Sequence, residues 1–286
     1  MSENLKWRVG DVTVTRVVEL ETPTSARFLF NGVSKQALLG IDWLKPHFVT
    51  EKGHMILSIH ALLVESEGRR IVVDTCLGND KERKVEGWQM RTGPFLEDIA
   101  AEGFSRERVD TVLCTHLHVD HVGWNTMKVG GRWLPTFPSA EYLFARKEWE
   151  YWSEHEQEEF GPVVEDSVRP IVDAGLSRLV DMDHRLTSEV WLEPTPGHTP
   201  GHVSVRIHSR GEDAIITGDM THHPCQMAHP EWAASVDVDP DRSTRTRREF
   251  YERYADQPVL LIGTHFATPT AGKLVRDGSA YRLDVG

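Results

Sequence analysis

Histidine and aspartate are concentrated in one short segment of this chain, where His116, His118, Asp120 and His121 fall within six consecutive positions. Alternate residues of an extended segment point the same way, so the first three share a face. Imidazole and carboxylate groups are ligands that zinc and similar divalent metals bind. If the chain turns before His121, the spacing predicts two adjacent metal sites, one supplied by His116 and His118 and the other by Asp120 and His121.

Three short apolar runs rich in β-forming residues each end at a histidine or aspartate. These runs are residues 109–115 before His116, residues 214–217 before Asp219, and residues 258–262 before His265. In layered α/β folds, sites assemble where loops leave the carboxyl ends of strands. These side chains are therefore expected to converge, although they are far apart in the sequence.

The remaining apolar pattern predicts one α+β domain over residues 1–286, since no internal repeat or long linker interrupts it. Alternating apolar and polar residues predict strands, and apolar residues spaced three or four apart predict helices. Strands are expected at residues 12–18, 59–65, 70–74 and 203–207, helices at 95–102 and 244–254, and a strand followed by a helix within 139–160.

Composition argues against several kinds of partner. The formal net charge is −12, whereas a nucleic-acid-binding protein needs a basic stripe to neutralise phosphates. The densest basic group, residues 242–248, lies beside Asp237, Asp239 and Asp241 and is expected to be the solvated start of a helix. No run approaches the ~20 apolar residues of a membrane-spanning helix. Neither nucleic acid nor a membrane is therefore expected as a partner.

Two features predict a cytoplasmic location. The N-terminal segment shows no apolar stretch of the kind found in signal peptides. The chain has three cysteines, Cys76, Cys114 and Cys225, an odd number without close pairing. Buried thiols in a reducing compartment are the simplest account of them.

The motifs, taken in order, resemble those of the metallo-β-lactamase superfamily, and within it the branch of methyl parathion hydrolase and the N-acyl homoserine lactonases. The resemblance rests on an ordered set of segments: Val72-Val73-Asp74-Thr75, which resembles a strand ending in a structural aspartate; the H-x-H-x-D-H signature at 116–121; Thr-Pro-Gly-His-Thr-Pro-Gly-His at 195–202; Thr217-Gly218-Asp219; and Gly263-Thr264-His265.

This resemblance implies a four-layer αββα sandwich with the site at one edge. It assigns two divalent metal ions, expected to be Zn²⁺, to a shared set of ligands: His116, His118 and His198 for the first metal, Asp120, His121 and His265 for the second, and Asp219 as the bridge. His202 is the alternative to His198, although its place in the motif favours a supporting role. Residues 1–55 are expected to form an N-terminal extension that shapes the pocket or a homodimer interface.

The resemblance also implies an activity, that of a dinuclear zinc-dependent hydrolase. A hydroxide bridging the two metals would cleave an ester, lactone or phosphotriester of a small, partly apolar substrate. Asp120 would be catalytic, orienting the hydroxide or shuttling a proton. The alternative is a mononuclear iron oxidoreductase similar to persulfide dioxygenases, and a non-enzymatic binding protein on the same fold is a third reading.

Substrate-pocket residues are less well defined by the sequence. Trp124, just beyond the H-x-H-x-D-H segment, and Phe266, just beyond His265, are predicted to line an apolar cleft over the metals, as are Phe28, Phe30, Trp43 and Trp88. His222 or His223 stands where many lactonases of this family use a tyrosine for leaving-group contact. That difference counts against homoserine lactones as substrates.

Overall fold

The computed structural model describes residues 4–286, and most of its regular structure is β-strand. The strands are β1 (Lys6–Val9), β2 (Val12–Thr24), β3 (Met55–Ser66), β4 (Arg69–Val73), β5 (Thr111–Leu113), β6 (Thr126–Val129), β7 (Arg132–Pro135), β8 (Glu141–Ala145), β9 (Ser177–Val180), β10 (Val190–Pro194), β11 (Val203–Ser209), β12 (Glu212–Ile216), β13 (Val259–Ile262), β14 (Ala271–Asp277) and β15 (Ala280–Asp284).

These strands form two main sheets and a separate hairpin. The first sheet has seven strands in the order β1-β2-β3-β4-β5-β8-β9, and the second has six in the order β10-β11-β12-β13-β14-β15. Strands β4, β5, β8 and β9 run parallel to one another, and so do β12 and β13. β6 and β7 pair only with each other.

Short helices connect the strands: α1 (Lys35–Leu39), α2 (Phe95–Ala101), α3 (Arg146–Trp152), α4 (Arg169–Asp173), α5 (Cys225–Ala228) and α6 (Pro240–Tyr254). A π-helical turn at Val164–Val168 leads directly into α4. α6 begins at Pro240 because the Asp239 side chain accepts a hydrogen bond from the Arg242 amide and so caps the helix. Within residues 4–286, no helix is long and apolar enough to cross a membrane.

Buried side chains divide the molecule into four layers. Between the two sheets lies an aliphatic core to which both contribute, for example Val14 and Val64 from the first and Val205 and Ile216 from the second. A second core packs the outer face of the first sheet against α2 and α4, and a third packs the second sheet against α5, α6 and residues 26–49. This arrangement confirms the predicted αββα sandwich.

The two sheets meet at the edge where the predicted site residues lie. The Val203 amide donates to the Thr115 carbonyl at 3.0 Å, and the Ser58 amide donates to the His265 carbonyl at 3.0 Å. Each bond joins a residue of one sheet, or of the loop that extends it, to the other. The loops that leave β5, β12 and β13 therefore emerge side by side.

Strand β2 is longer than the sequence predicts, since it extends to Thr24 and contains a bulge at Glu19. The extra residue turns the Glu19 carboxylate inward, where it accepts from the amides of Leu77 and Gly78 and from the Trp124 indole, at 2.8, 3.1 and 2.7 Å. A bulge depends on a partner across the fold, so alternation along one strand does not reveal it.

Two other parts of the chain also differ from the expectation. The helix predicted within 139–160 ends at Trp152, and the hairpins β6–β7 and β14–β15 were not predicted. Both hairpins are short, and Val129 and Leu134 of the first are exposed, so their sequences carry little apolar alternation.

The loop that carries the H-x-H-x-D-H segment crosses the loop after β4 at very short range. A methyl group placed on Gly123 would lie 1.9 Å from the carbonyl carbon and oxygen of Leu77. In the structure the Gly123 amide donates to the Cys76 carbonyl at 2.7 Å. The absence of a side chain at Gly123 therefore allows the two loops to cross.

We expect Gly123→Ala to lower the free energy of unfolding by about 1–3 kcal/mol, because the added methyl group must displace backbone rather than a flexible side chain. Chemical denaturation measures this change. Gly87→Ala is the matched control, since Gly87 is exposed and an added methyl group there meets no atom within 4 Å. Equal stability of the two variants would contradict the close crossing.

Candidate metal centre

The first group of metal-ligating side chains comes from two loops. His116 and His118 follow β5, and His198 lies in the loop between β10 and β11. One nitrogen from each lies within 4.8 Å of the others, and all three side chains are buried. The Nε2 atoms of His116 and His198 are 3.1 Å apart. The structure thus brings together the three residues predicted for the first metal.

The second group forms because the chain turns between His118 and His121, where the His121 amide donates to the His118 carbonyl at 3.1 Å. The ring of His121 still lies close to that of His116, with ring centroids 4.0 Å apart, so the two groups are adjacent. Ligand atoms of Asp120, His121 and His265 then lie within 4.8 Å of one another. The turn that the spacing required is therefore present.

Asp219 lies between the two groups. Its Oδ2 is 3.6 Å from Nε2 of His198 and 3.4 Å from Nε2 of His121, and its Oδ1 is 3.2 Å from Nε2 of His265. Oδ1 is buried and has no hydrogen-bond partner among the described residues. This carboxylate is placed to serve both groups at once.

Hydrogen bonds on the far side of each ring fix which nitrogen faces the centre. His265 Nδ1 donates to the Ser58 carbonyl at 2.9 Å, and His198 Nδ1 donates to Asp237 Oδ1 at 2.8 Å. His121 Nδ1 faces Asp74 Oδ2 at 2.9 Å. Because carbonyl and carboxylate oxygens only accept, Nδ1 carries a hydrogen in each case, and Nε2 faces the centre with a lone pair when the ring is neutral.

The same reasoning extends to His116. The Thr115 hydroxyl donates to Asp74 Oδ2 at 2.9 Å, so it accepts from His116 Nδ1 at 3.1 Å. Lone pairs therefore face each other between His116 and His198, a contact that is repulsive unless a cation lies beside it. The Nε2 atoms of His121 and His265 are 3.2 Å apart, and there burial is outweighed by the neighbouring carboxylates, which raise the pKa of both rings, so a proton can take the place that a metal ion would fill.

The environment of the imidazoles favours metal ions over protons in the first group. Burial and neighbouring imidazoles hold the pKa of His116 and His118 well below the ordinary value. Burial has the same direction at His265, but the carboxylates of Asp219 and Asp120 outweigh it and raise that pKa to about 8. Five imidazoles and two carboxylates, with four Nε2 atoms fixed inward, fit a pair of divalent cations.

His202, the alternative to His198, points elsewhere. Its Nε2 accepts from the Asp219 amide at 2.8 Å, and its Nδ1 lies 2.9 Å from the Thr195 hydroxyl. Burial lowers the pKa of His202 to about 3, so the ring is neutral. A neutral His202 holds the backbone of Asp219 in place and lies outside both ligand groups.

An apolar cavity of about 500 Å³ opens over the second group. His118, Asp120, Asp219, His222 and His265 form its floor. Its walls are mainly apolar and come from six parts of the chain: Leu20, Phe28 and Leu29; Leu57 and Ile59; Val85 and Trp88; Val119; Phe160; and Val236. No lysine or arginine lines it among the described residues.

The walls combine one sheet face with an aromatic group. Leu20 pairs with Ile59 across β2 and β3, so they share a face beyond the Glu19 bulge. Trp88 stacks on Phe160 with ring centroids 5.8 Å apart, and Phe28 meets the edge of Trp88 at 5.9 Å. Part of the N-terminal region thus lines the cavity.

Several aromatic residues predicted to line the cleft lie elsewhere. Trp124 donates to Glu19 and stacks on Phe95 at 5.6 Å, and Phe266 packs against Phe48 at 6.3 Å. Phe30 and Trp43 belong to the core outside the second sheet. Trp124 and Phe266 are predicted to line the cleft because they follow His121 and His265 closely in the sequence. The backbone, however, turns into the core directly after each of these two histidines.

The structure distinguishes between His222 and His223. His223 Nε2 lies 2.9 Å from the Phe48 carbonyl and its Nδ1 accepts from the Cys225 amide, which makes it part of the core. His222 lines the cavity, its Nε2 is 3.2 Å from Asp219 Oδ2, and neither ring nitrogen has a hydrogen-bond partner among the described residues. His222 is therefore available to a bound molecule.

The acidic and basic group around residues 237–248 is not simply solvated. Asp237 is buried and holds His198. Arg247 is fully buried and donates to the carbonyls of Met220 and Pro230 at 2.9 and 2.7 Å. The expected solvated helix start is wrong for Arg247, and Asp237 beside that basic group is buried as well. Nothing in the local sequence distinguishes them, since Asp239 and Arg242 beside them are exposed.

Comparisons with known proteins agree with this geometry. The chain is 24% identical over 175 residues to an N-acyl homoserine lactonase from Bacillus sp, a match that covers 56% of this chain and 62% of that protein. The chain thus spans less than two thirds of the curated relatives it matches.

Two solved structures share the fold over almost the whole chain. One is AidC, described as a dizinc quorum-quenching lactonase in complex with a homoserine product, with a TM-score of 0.81, 22% identity and coverage of 98% of this chain and 96% of that one. The other is AbOPH, described as a hydrolase in the β-lactamase superfamily, with a TM-score of 0.81, 24% identity and coverage of 100% and 98%.

The model of one protein family matches residues 56–264, more than half of the chain, and includes every residue of the two ligand groups except His265. Together with the αββα sandwich and the order of its motifs, this match shows that the chain belongs to the metallo-β-lactamase superfamily.

Proposed function

We propose that this protein is a dinuclear metal-dependent hydrolase, with zinc as its metal, that cleaves a neutral ester, lactone or phosphotriester carrying an apolar group. The observation that carries the proposal is the inward direction of the Nε2 atoms of four histidines around Asp219: His116, His198, His121 and His265. Such a buried arrangement costs free energy in the absence of a cation. It opens onto an apolar cavity of about 500 Å³.

His116, His118 and His198 would hold one cation, Asp120, His121 and His265 the other, and Asp219 both. When bound, a pair of divalent cations supplies Lewis acidity and lowers the pKa of water toward neutrality. Seven buried protein ligands favour this proposal over the mononuclear iron alternative, because a single iron ion needs only one of the two groups.

Two further side chains at the cavity floor can handle protons. Asp120 lies on the cavity side of the second group, with carboxylate oxygens 3.6 Å from Nε2 of both His121 and His265. An oxygen so placed can accept a proton from an attacking water and pass it on. His222 faces the same space, with its Nε2 3.2 Å from Asp219 Oδ2, and can donate a hydrogen bond to the departing oxygen.

The cavity walls favour neutral substrates. An anionic group brought into this apolar space would lose its hydration without gaining a cationic side chain, since none lines the cavity among the described residues. Leu20, Ile59, Trp88 and Phe160 instead offer aliphatic and aromatic surface to an acyl or aryl group. Lactonase relatives support the lactone option, and His222 in place of a tyrosine leaves esters and phosphotriesters equally open. Cytoplasmic location and a homodimer remain predictions.

We expect purified protein to contain about two equivalents of divalent metal per chain, and removal by a chelator to abolish hydrolysis of a panel of aryl esters, lactones and phosphotriesters. Elemental analysis and turnover of that panel before and after zinc addition measure both. A single iron per chain with oxygen uptake on a thiol substrate would instead support the iron oxidoreductase. Fully metallated protein that hydrolyses none of the panel would refute the proposal.

His116→Ala should lower kcat/KM by more than about 100-fold, because loss of a supporting partner alone typically costs 10–100-fold and this change removes a ligand. His155→Ala is the control, since His155 is exposed and lies outside both ligand groups. Steady-state kinetics with thermal unfolding separates loss of activity from loss of fold. An active His116→Ala enzyme would mean that the ligand assignment is wrong.

Trp88→Ala should raise KM for substrates with an aryl or long acyl group by about 10-fold while kcat changes little, because the indole offers apolar surface to the bound group and touches no ligand. Short acetyl esters should be less affected. Trp191→Ala is the matched control, a partly buried tryptophan on β10 outside the cavity. An unchanged KM for large substrates would argue against binding along this wall.

A further inference from the structure

One buried carboxylate joins the two loops that supply the first ligand group. Glu148, on α3, is 1% exposed. Its Oε1 accepts from the amide of Leu117, between His116 and His118, at 3.1 Å. Its Oε2 accepts from the amide of Gly201, in the loop that carries His198, at 2.8 Å. A single side chain therefore spans both loops.

These loops have few other bonds that fix their spacing. Their direct backbone connection is the bond between Val203 and Thr115, at the base of both loops. Glu148 adds a second connection on the ligand side, and the Trp152 indole, at 2.8 Å from Oε1, holds the carboxylate itself. Bonds from N–H groups to a buried carboxylate are stronger than those between neutral groups.

Packing at Gly201 points to the same contact. A methyl group on Gly201 would lie 2.4 Å from the Glu148 amide nitrogen, so the loop lies directly against the first turn of α3. Gly197 makes a similar approach to α6, where a methyl group would lie 2.2 Å from the Ser243 amide. The His198 loop is thus held between two helices, and the one at Gly201 also contacts the His116 loop.

We propose that Glu148 is a positioning residue that sets the affinity of the first metal site by fixing the His116–His118 loop against the His198 loop. This inference rests on the metal-binding part of the proposed function. It goes beyond that function because Glu148 is not a ligand and does not line the cavity.

The effect should be confined to one of the two sites. The second group depends on other supports: Asp74 holds His121, and the Ser58 carbonyl holds His265. Loss of the Glu148 bridge changes the spacing between His198 and its two partners, and these supports keep the second group in place. A selective loss therefore separates positioning from general destabilisation.

The test uses Glu148→Gln in the full chain, a change that keeps size but replaces one acceptor oxygen with a donor amide facing an N–H group. Competition with a chromophoric chelator for Zn²⁺ should show one of two sites weakened by 10–100-fold, the usual cost of losing a supporting partner. Imidazole ¹⁵N resonances of His116, His118 and His198 should respond only at the higher zinc concentration, while those of His121 and His265 respond as in the unaltered chain.

Glu150→Gln is the matched control, since Glu150 is exposed on the same helix, and it should keep both affinities. Two unchanged affinities in folded Glu148→Gln would overturn the proposal, as would equal weakening of both sites or a fall only in the stability of the metal-free protein. If Glu148→Gln does not fold, Glu148→Asp takes its place, because aspartate carries the same charge on a side chain that is shorter by one methylene. This variant must then lose zinc affinity at one site only. Failure of both to fold would also overturn it.

The result is independent of substrate. If the unaltered chain binds two zinc ions but hydrolyses nothing, the proposed activity is wrong. The role of Glu148 is then still tested by the same zinc titration. A hydrolase whose Glu148→Gln variant binds zinc normally would retain the activity and remove the inference.

Discussion

The structure depends on the orientation of four buried imidazoles whose Nε2 atoms face one another across distances of 3.1 and 3.2 Å. Each ring is held in that orientation from behind by an oxygen, from Asp237, Asp74, Thr115 or the Ser58 carbonyl. Between His116 and His198 this arrangement sets lone pair against lone pair, a repulsion that a cation relieves. The ligands are therefore held in position before any metal binds. Metal binding then offsets the free energy that this buried arrangement costs the folded protein.

The supports for these rings come from parts of the chain far from the ligands. Asp74 contacts both Thr115 and His121 from the end of a neighbouring strand, and His202 holds the backbone of Asp219. Glycines allow the close approaches, as Gly123 does where two loops cross. The motif glycines thus serve packing, while the histidines and aspartates serve the proposed chemistry.

An apolar cavity beside a strongly polar floor defines the proposed substrate. Its walls combine the β2–β3 face beyond the Glu19 bulge with aromatic rings from three separate loops. Water is poorly held by such walls, so electrostatic interactions at the floor are stronger than in solvent. The N-terminal region is part of this cavity, through Leu20 and Phe28.

The sequence alone predicted that strand ends carrying histidine and aspartate converge, because strand ends and the H-x-H-x-D-H spacing are local patterns. The layered fold and the full ligand set followed from the resemblance of its ordered motifs to a known family. Tertiary structure decided the rest. The burial of Asp237 and Arg247 depends on how α6 and the segment before it pack. Whether His222 or His223 faces the cavity, and why Trp124 and Phe266 do not, depends on which way a loop turns after its ligand. That direction is set by contacts with distant segments, and residue type and spacing carry no record of them.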